Sequence, residues 1–190
     1  MIEKRWYTLE DGIERLKRLI SYDPTTGKLF WKTRSVDLFQ SERIMRSWNA
    51  KYAGKEALTA KGSHGHCYGS IFNEDVSAHR VAWALHYGVW PDDEIDHIDR
   101  NPSNNRADNL RISTRRQNCW NQGKLRNRTS RFIGVSWDSS REKWKAEINN
   151  SGKKTYIGRF DLEEDAARAY DEQAFKHRGE FASCNFSMVA

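Results

Sequence analysis

The residues with the clearest chemical potential lie in the stretch from 95 to 121, IDHIDRNPSNNRADNLRISTRRQNCWN. It contains an adjacent carboxylate and imidazole, Asp96 and His97, followed by Asn109 and Asn118. Carboxylate and amide oxygens are ligands that Mg²⁺ prefers, and Mg²⁺ completes its shell with waters and substrate phosphates. An imidazole titrates near neutral pH and can take a proton from an attacking water. These residue types together suit metal-assisted hydrolysis of a phosphodiester.

The same stretch predicts the elements that position these side chains. The carboxylate and imidazole lie on a short β-prone run, and a polar loop rich in Pro and Asn leads to a strand over 110–112. Ser113 or Thr114 then caps a helix that carries Asn118. A neutral imidazole acts as a base when its other ring nitrogen is held, and an asparagine amide oxygen can hold it. A strand, loop, strand and helix in this order can bring the four side chains together.

This pattern resembles the HNH (ββα-metal) nucleases, particularly the homing endonucleases of phages. By that resemblance His97 is the general base, Asp96 and Asn118 are metal ligands, and Asn109 holds both the loop and the histidine. The implied cofactor is Mg²⁺ or another divalent cation such as Mn²⁺. The family often has glycine where this chain has Arg100. The alternative, a polar loop in an inert domain, would suit a lone Asp-His pair better than the full pattern.

Charge favours an acidic partner. The 190 residues include 32 Lys and Arg against 26 Asp and Glu, a net charge of +6. No acid occurs from 109 to 137, yet seven basic residues do: Arg111, Arg115, Arg116, Lys124, Arg126, Arg128 and Arg131. A charge run is usually a solvated face, but this one adjoins the candidate site, so phosphate contact is favoured.

Other features narrow the class of protein. The three cysteines are scattered and form no C-x-x-C, which argues against a disulfide framework and a structural zinc site. The sequence has no long apolar run and no signal peptide, so we expect a cytoplasmic protein of a bacterial or phage-infected cell, without a membrane partner.

The region before the candidate site predicts mainly scaffold. A helix capped by Thr8 and running through Ile20 precedes a Tyr22–Gly27 turn and a strand at Lys28–Lys32. This opening resembles that of many phage HNH proteins, and a structural role is its default. Residues 35–52 mix basic and aromatic types, and a packed surface connection is slightly favoured over a DNA contact.

Strands over 57–59 and 67–72 flank a glycine-rich turn, and a flexible loop is favoured there over metal binding by its histidines. Ser77 caps a helix over 78–87 that Gly88 ends. Its His79-Arg80 matches a pair that precedes the Asp-His motif in the family. Arg80 could contact a phosphate, and a buried, satisfied His79 is at least as plausible as a catalytic one.

The C-terminal part predicts three strands, over 132–137, 143–149 and 154–160, and a helix over 162–178 that Asp161 caps. Alternation places Trp144, Ala146 and Ile148 on the face that meets the helix and leaves the other face open. The spacing resembles the AP2/ERF DNA-binding domain, carried by Gly134-Val135, 144–148, 156–160, 165–171 and 181–186. That resemblance implies that the sheet enters the major groove.

We therefore predict an α+β protein with a nuclease region at 1–121 (core motif 77–121), a basic linker at 122–130 and an AP2-like domain at 131–190. The predicted DNA contacts are Arg80, Arg111, Arg115, Arg116, Lys124, Arg126, Arg128, Lys143, Lys145, Asn149, Lys154 and Tyr156. The predicted function is metal-dependent, site-specific cleavage of double-stranded DNA by a monomer or weak dimer without a small-molecule cofactor. The main rival is a DNA-binding regulator with an inert HNH-like core, and an RNA-directed protein is the second.

Overall fold

The computed structural model of the chain describes residues 11–121, 129–150 and 152–186. The chain divides into two compact units, Met1–Ile112 and Ser113–Ala190. Small antiparallel sheets and short helices alternate in both units, which confirms the α+β prediction. Within the described ranges, no helix is long and apolar enough to cross a membrane. The predicted cap at Thr8 and most of the predicted linker lie outside the described residues.

The first unit is built on a helix and a hairpin. The elements are α1 (Gly12–Leu19), β1 (Ile20–Asp23) and β2 (Lys28–Trp31), and β1 pairs antiparallel with β2. Leu16 and Leu19 of α1 are buried with Ile20 and Leu29 of the hairpin. The prediction that the helix includes Ile20 is wrong, because this β-branched residue pairs with Trp31 instead.

An exposed helix, α2 (Glu42–Tyr52), occupies most of the stretch that the sequence left open. None of its residues is buried. Trp48 anchors it: the indole lies 5.8 Å from the ring of Trp31, and the guanidinium of Arg34 stacks on it at 3.8 Å from the ring centroid. These contacts agree with the preferred expectation of a surface connection held by packed aromatics.

A three-stranded sheet and a helix complete the scaffold of this unit. The strands are β3 (Ala60–Lys61), β4 (Cys67–Ile71) and β5 (Glu74–Ser77), in the order β3-β4-β5. The strand predicted over 57–59 is wrong, because β3 begins only at Ala60, and β5 was not predicted. The helix α3 (Ala78–Tyr87) has the predicted bounds, and Gly88 ends it with a left-handed φ of +74°.

The region of the candidate site forms a strand pair followed by a short helix. β6 (Glu94–His97) pairs with β7 (Leu110–Ser113), and α4 (Arg115–Trp120) follows. Of the two predicted caps, Thr114 caps α4: its hydroxyl accepts from the N–H of Gln117, and the Gln117 side chain accepts from the N–H of Thr114. This reciprocal pair satisfies donors that the first turn leaves open.

The second unit is a three-stranded sheet covered by one helix. β8 (Val135–Asp138), β9 (Lys143–Asn150) and β10 (Lys153–Phe160) pair antiparallel in the order β10-β9-β8, and α5 (Glu163–Arg178) follows. The predicted cap of α5 is wrong: Leu162 precedes the helix without a side-chain cap bond, and the Asp161 carboxylate binds Lys143 at 2.9 Å.

Two contacts hold this unit tightly. Gly134 has φ +74°, and a Cβ at that position would lie 2.0 Å from Cδ2 of Tyr170, so the strand and helix approach closely only because the residue is glycine. The buried Asp171 carboxylate accepts from the backbone N–H of Asn185 and Phe186, at 2.8 and 2.9 Å. Asn185 also accepts from the N–H of Ile133 at 2.6 Å. Residues 185–186 are thereby tied to α5 and to the turn that precedes β8.

Candidate functional site

The adjacent carboxylate and imidazole lie at the end of β6, and both are buried. Asp96 is 4% exposed and His97 is 5% exposed. Beneath them Ile95 packs with Leu110 of β7 and Ala82 of α3 in one apolar cluster. The strand pair and α3 therefore fix the backbone that carries the two side chains.

The ring of His97 is held by an asparagine of the intervening loop. Its Nε2 lies 3.0 Å from Oδ1 of Asn105, which is itself buried. Because an amide oxygen only accepts hydrogen bonds, this contact places the ring proton on Nε2 and leaves the basic lone pair on Nδ1. The ring thus has the tautomer that a general base requires.

The side-chain amide of Asn109 makes hydrogen bonds to the loop and not to the ring of His97. Its Oδ1 accepts from the N–H of Asp99 at 2.9 Å, and its Nδ2 donates to Oδ1 of Asp99 at 2.9 Å and to the carbonyl of Asn104 at 2.8 Å. The predicted double role of Asn109 is thus divided, since Asn105 bonds His97. The sequence predicts only a polar turn-forming loop around Asn105, although this residue and the adjacent Asn104 each offer an amide.

The turn after His97 has the conformation that glycine favours. Arg100 has φ +64°, and its N–H donates to the carbonyl of His97 at 2.9 Å. The related family often has glycine at this position. The substitution of arginine therefore keeps the turn and adds backbone strain.

Three histidines from separate elements meet at the site. The ring centroids of His66, His79 and His97 lie 5.2 to 5.5 Å from one another. Burial, with the nearby His97 and His66, lowers the pKa of His79 to about 3, so this ring stays neutral. Nδ1 of His79 is buried without a hydrogen-bond partner, which differs from the satisfied histidine expected as one alternative. His66, expected in a flexible loop, was not predicted at the site.

The carboxylate of Asp96 is paired with Arg111 across the strands. Nε and Nη2 of Arg111 donate to Oδ2 of Asp96 at 2.9 and 2.7 Å, and the arginine side chain is 12% exposed. In this structure the guanidinium of Arg111 therefore belongs to the site, and the DNA contact predicted for it stays a prediction. The pair sets the orientation of the carboxylate that the sequence predicts as a metal ligand.

Arg80, another predicted DNA contact, makes hydrogen bonds to the loop before β6. Its guanidinium donates to the backbone carbonyl of Asp93 at 2.8 Å and to that of Pro91. It also lies over the ring of Trp90, at 5.6 Å from the centroid. These contacts hold the side chain against the protein backbone, and the phosphate contact predicted for Arg80 stays a prediction.

The residue types of the two predicted metal ligands suit a hard cation. Asp96 supplies a carboxylate, and Asn118 on α4 would supply an amide oxygen, as Mg²⁺ prefers. The described ranges contain no group of three or more His, Cys, Asp and Glu side chains suited to a metal ion. Asn118 lies in the second compact unit, so its partnership with Asp96 stays a prediction. Arg115 and Arg116 lie exposed on the same helix. Lys124, Arg126 and Arg128 are outside the described residues.

The open face of the second unit's sheet carries the other predicted contacts. Lys154 pairs with Asn149 and Tyr156 with Glu147, and paired residues share a face. Ala146 and Ile148 are buried on the opposite face, against α5. The predicted division of the strands into a covered and an open face agrees with this register.

Several of these side chains have protein partners. Lys143 binds Asp161, Lys145 binds Glu147 at 3.1 Å, and Oδ1 of Asn149 accepts from the N–H of Gly152 at 3.0 Å. The two ion pairs are surface interactions in which a phosphate could replace the carboxylate at low cost.

One residue of the open face was missed. The register shifts between Tyr156 and Gly158, so Arg159 joins the open face beside Lys145. Its Nε donates to Oδ2 of Asp138 at 2.8 Å, and its guanidinium lies 5.2 Å from the centroid of the Tyr156 ring. Simple alternation after Tyr156 puts this arginine on the other face, and a bulge leaves no clear signal in the sequence.

Two family models match the chain. One, described as HNH endonuclease, matches residues 76–119, and the other, described as AP2 domain, matches residues 130–180.

Relatives match parts of the chain. Protein 3.8 of Escherichia phage T7 is 39% identical over 88 residues, which cover 46% of this chain and 72% of that protein. APETALA2-like protein 2 of Oryza sativa subsp. indica is 41% identical over 63 residues, 33% of this chain and 14% of that protein. A solved chain from a study of DNA binding and cleavage by the HNH homing endonuclease I-HmuI has a TM-score of 0.39 at 18% identity, over 87% of this chain and 88% of its own.

Proposed function

The chain belongs to the HNH endonuclease family and carries an AP2 domain, and from this premise we propose that it hydrolyses phosphodiester bonds in duplex DNA. The observation that carries the proposal is the bond from Nε2 of His97 to Oδ1 of Asn105. It gives a buried imidazole a fixed orientation and a basic Nδ1, next to a carboxylate that suits a hard cation.

In the proposed reaction His97 takes a proton from water at Nδ1. The resulting hydroxide attacks phosphorus in line, the bond from phosphorus to the 3′ oxygen breaks, and that oxygen takes a proton from solvent. The products carry 5′-phosphate and 3′-hydroxyl ends, as the family resemblance implies. Asn105 stabilises the imidazolium that forms, because its amide oxygen accepts from the ring in both protonation states.

Asp96 and Asn118 would hold a divalent cation, Mg²⁺ or Mn²⁺. The chemistry that such a cation supplies when bound is charge stabilisation at phosphorus and at the leaving oxygen. Arg111 orients the Asp96 carboxylate and offsets its charge before substrate enters. Asn109 keeps the loop closed around these residues through Asp99 and Asn104.

The AP2 domain would bind the DNA through the open face of its sheet. Lys154, Tyr156 and Arg159 are exposed on that face and can meet phosphates and base edges. One catalytic site per chain cuts one strand per event, so site-specific nicking by a monomer is the simplest form of a homing-type activity.

A plasmid-nicking assay tests the proposal. His97→Ala should lower the nicking rate by ~10²- to 10⁴-fold with little change in DNA affinity, because the base acts in the chemical step. His64→Ala, on an exposed loop of the same unit, is the matched control and should nick normally. EDTA should abolish nicking. A wild-type rate in His97→Ala would remove this residue as the base.

One observation favours a second function, a DNA-binding regulator without cleavage. Arg111 already neutralises Asp96, which lowers the need for a cation there. Such a protein would shift duplex DNA in a binding assay but leave a supercoiled plasmid intact at every Mg²⁺ and Mn²⁺ concentration. Duplex RNA as competitor, at fixed salt, separates both functions from an RNA-directed one.

A further inference from the structure

We propose that the β1–β2 hairpin is a positioning element for the reaction, whose turn holds the backbone of Asn105 and through it the imidazole of His97. The inference rests on the proposed function in that His97 is taken as the base. The hairpin lies outside the segment 76–119 that the HNH model matches. Its distance along the chain hides the relation from any local pattern.

Two hydrogen bonds join the hairpin to the loop between β6 and β7. The hydroxyl of Tyr22 donates to the carbonyl of Asn105 at 2.7 Å, and these residues are 83 positions apart. The N–H of Ala107 donates to the carbonyl of Pro24 at 3.1 Å. The hairpin therefore holds two successive peptides of the loop, the 105–106 peptide through its carbonyl and the 106–107 peptide through its N–H.

Gly27 packs directly against the 105–106 peptide. A Cβ at this position would lie 2.6 Å from the carbonyl carbon of Asn105 and 2.6 Å from the nitrogen of Arg106. Both are backbone atoms, which cannot rotate away as the end of a side chain could. The residue also has φ +74°, which glycine adopts without strain. The close approach and the backbone conformation both require glycine.

The turn itself is rigid enough to serve as a support. The carboxylate of Asp23 accepts from the hydroxyl of Thr25 at 2.7 Å and from that of Thr26 at 2.8 Å. It also accepts from the N–H of Thr25 at 2.9 Å. The N–H of Gly27 donates to the carbonyl of Asp23 at 2.9 Å, which closes the turn. Such side-chain bonds to nearby backbone fix a turn in one conformation.

Asn105 connects the hairpin to His97. Asn105 is 5% exposed, its carbonyl is bound by Tyr22, and its Oδ1 lies 3.0 Å from Nε2 of His97. A shift of the Asn105 backbone therefore moves the acceptor that fixes the ring tautomer. Catalysis depends steeply on such placement, and a displacement of ~1 Å can cost ~100-fold in rate.

The test uses two variants of the full chain with matched controls. Gly27→Ala forces the loop peptide to move, whereas Gly88→Ala has the same φ of +74° but meets nothing within 4 Å. Tyr22→Phe removes only the bond to Asn105, and Tyr68→Phe removes a hydroxyl from a tyrosine that is 40% exposed. Because Tyr22→Phe is a small change, it keeps the test decisive if Gly27→Ala does not fold.

We expect kcat for nicking to fall ~10- to 100-fold in Gly27→Ala and ~3- to 10-fold in Tyr22→Phe, with KM unchanged. Both control variants should keep wild-type kcat. Two-bond ¹H–¹⁵N NMR spectra of the His97 ring should show one Nε2–H tautomer in the wild type and a mixture in Gly27→Ala. Asn105→Asp, which keeps an acceptor oxygen, should retain the tautomer that Asn105→Ala loses.

The inference would be overturned if Gly27→Ala and Gly88→Ala had equal kcat and both kept the wild-type ring tautomer. It would also be overturned if Tyr22→Phe had the same kcat and the same ring tautomer as Tyr68→Phe. The ring tautomer needs no cleavage. If the wild-type protein cuts no DNA, the proposed function fails, and the NMR comparison still decides whether the hairpin positions the ring.

Discussion

The ion pair between Asp96 and Arg111 should be the most sensitive polar contact of the site. Arg111→Met keeps the apolar stem of the side chain and removes the guanidinium. At the observed 2.7 Å the attraction between unit charges is roughly 6 kcal/mol at an effective dielectric of about 20. The arginine is 12% exposed, so water can reach the carboxylate that is left behind. We therefore expect a net loss of about 3 kcal/mol, the lower end of the range for breaking a buried pair.

The assay is urea unfolding in EDTA, followed by tryptophan fluorescence. Because the chain has two compact units, hydrogen exchange at the amides of 94–97 and 110–113 reports the first unit separately. The double variant Asp96→Asn with Arg111→Met should lose less stability than the sum of the single variants, since the second change leaves no charge unpaired.

A surface pair of the same length provides the control. Arg106 binds Asp108 at 2.7 Å, but the two side chains are 48% and 66% exposed. Solvent screens such a pair, so Arg106→Met should change the free energy of unfolding far less than Arg111→Met. Equal effects of the two variants would refute the argument that burial makes the Asp96 pair important. A lower half-saturating Mg²⁺ concentration for nicking in Arg111→Met would further show that the guanidinium competes with the cation.

Three further predictions concern pH, DNA binding and folding. The pKa of His79 is lowered from its ordinary value of 6.5 to about 3 in the native state. Between these two values the unfolded chain binds a proton at this ring and the native state does not. Stability should therefore fall as pH decreases from about 6.5 toward 3, by up to ~1.4 kcal/mol per pH unit, and His79→Gln but not His64→Gln should flatten this slope in acid titrations. Lys154→Ala should weaken duplex binding and reduce the salt slope by about one, more than Lys153→Ala on the other face of β10, as measured by fluorescence anisotropy at several salt concentrations. Asp171→Ala should cost about 3 kcal/mol in thermal unfolding, because two backbone amides lose a buried carboxylate; a loss below about 1 kcal/mol would contradict this.

Local signals in the sequence were enough for several elements. The apolar spacing between Ser77 and Gly88 predicts α3 with its observed bounds, since glycine is favoured in the left-handed conformation that ends a helix. Alternation along β9 predicts which face of the sheet α5 covers. Ala146 and Ile148 share that face, and their apolar side chains are buried there.

The failures arise where a distant partner decides. Ile20 continues an apolar helical period, yet its pairing with Trp31 places it in a strand. Asp161 has the type and spacing of a helix cap, but Lys143 binds its carboxylate. In both cases a residue distant along the chain pairs with the group in question, and the sequence around it gives no sign of that partner.

The candidate site divides in the same way. Asp96 and His97 were predicted as site residues from their types, and both are buried at the end of β6. The choice of Asn105 over Asn109 as the partner of the ring depends on a loop conformation that Tyr22 and Pro24 help to hold. Arg111 looked like part of a basic run because its partner lies fifteen positions earlier on another strand.

The contact between Gly134 and Tyr170 has a consequence for how this sheet and helix can diverge. Any side chain at position 134 needs the space that the aromatic ring fills, so position 134 cannot become larger while Tyr170 is kept. Homologous domains with a side chain at the position of Gly134 should carry a smaller residue at that of Tyr170. In a library randomised at both positions, folded clones should therefore show linked rather than independent choices.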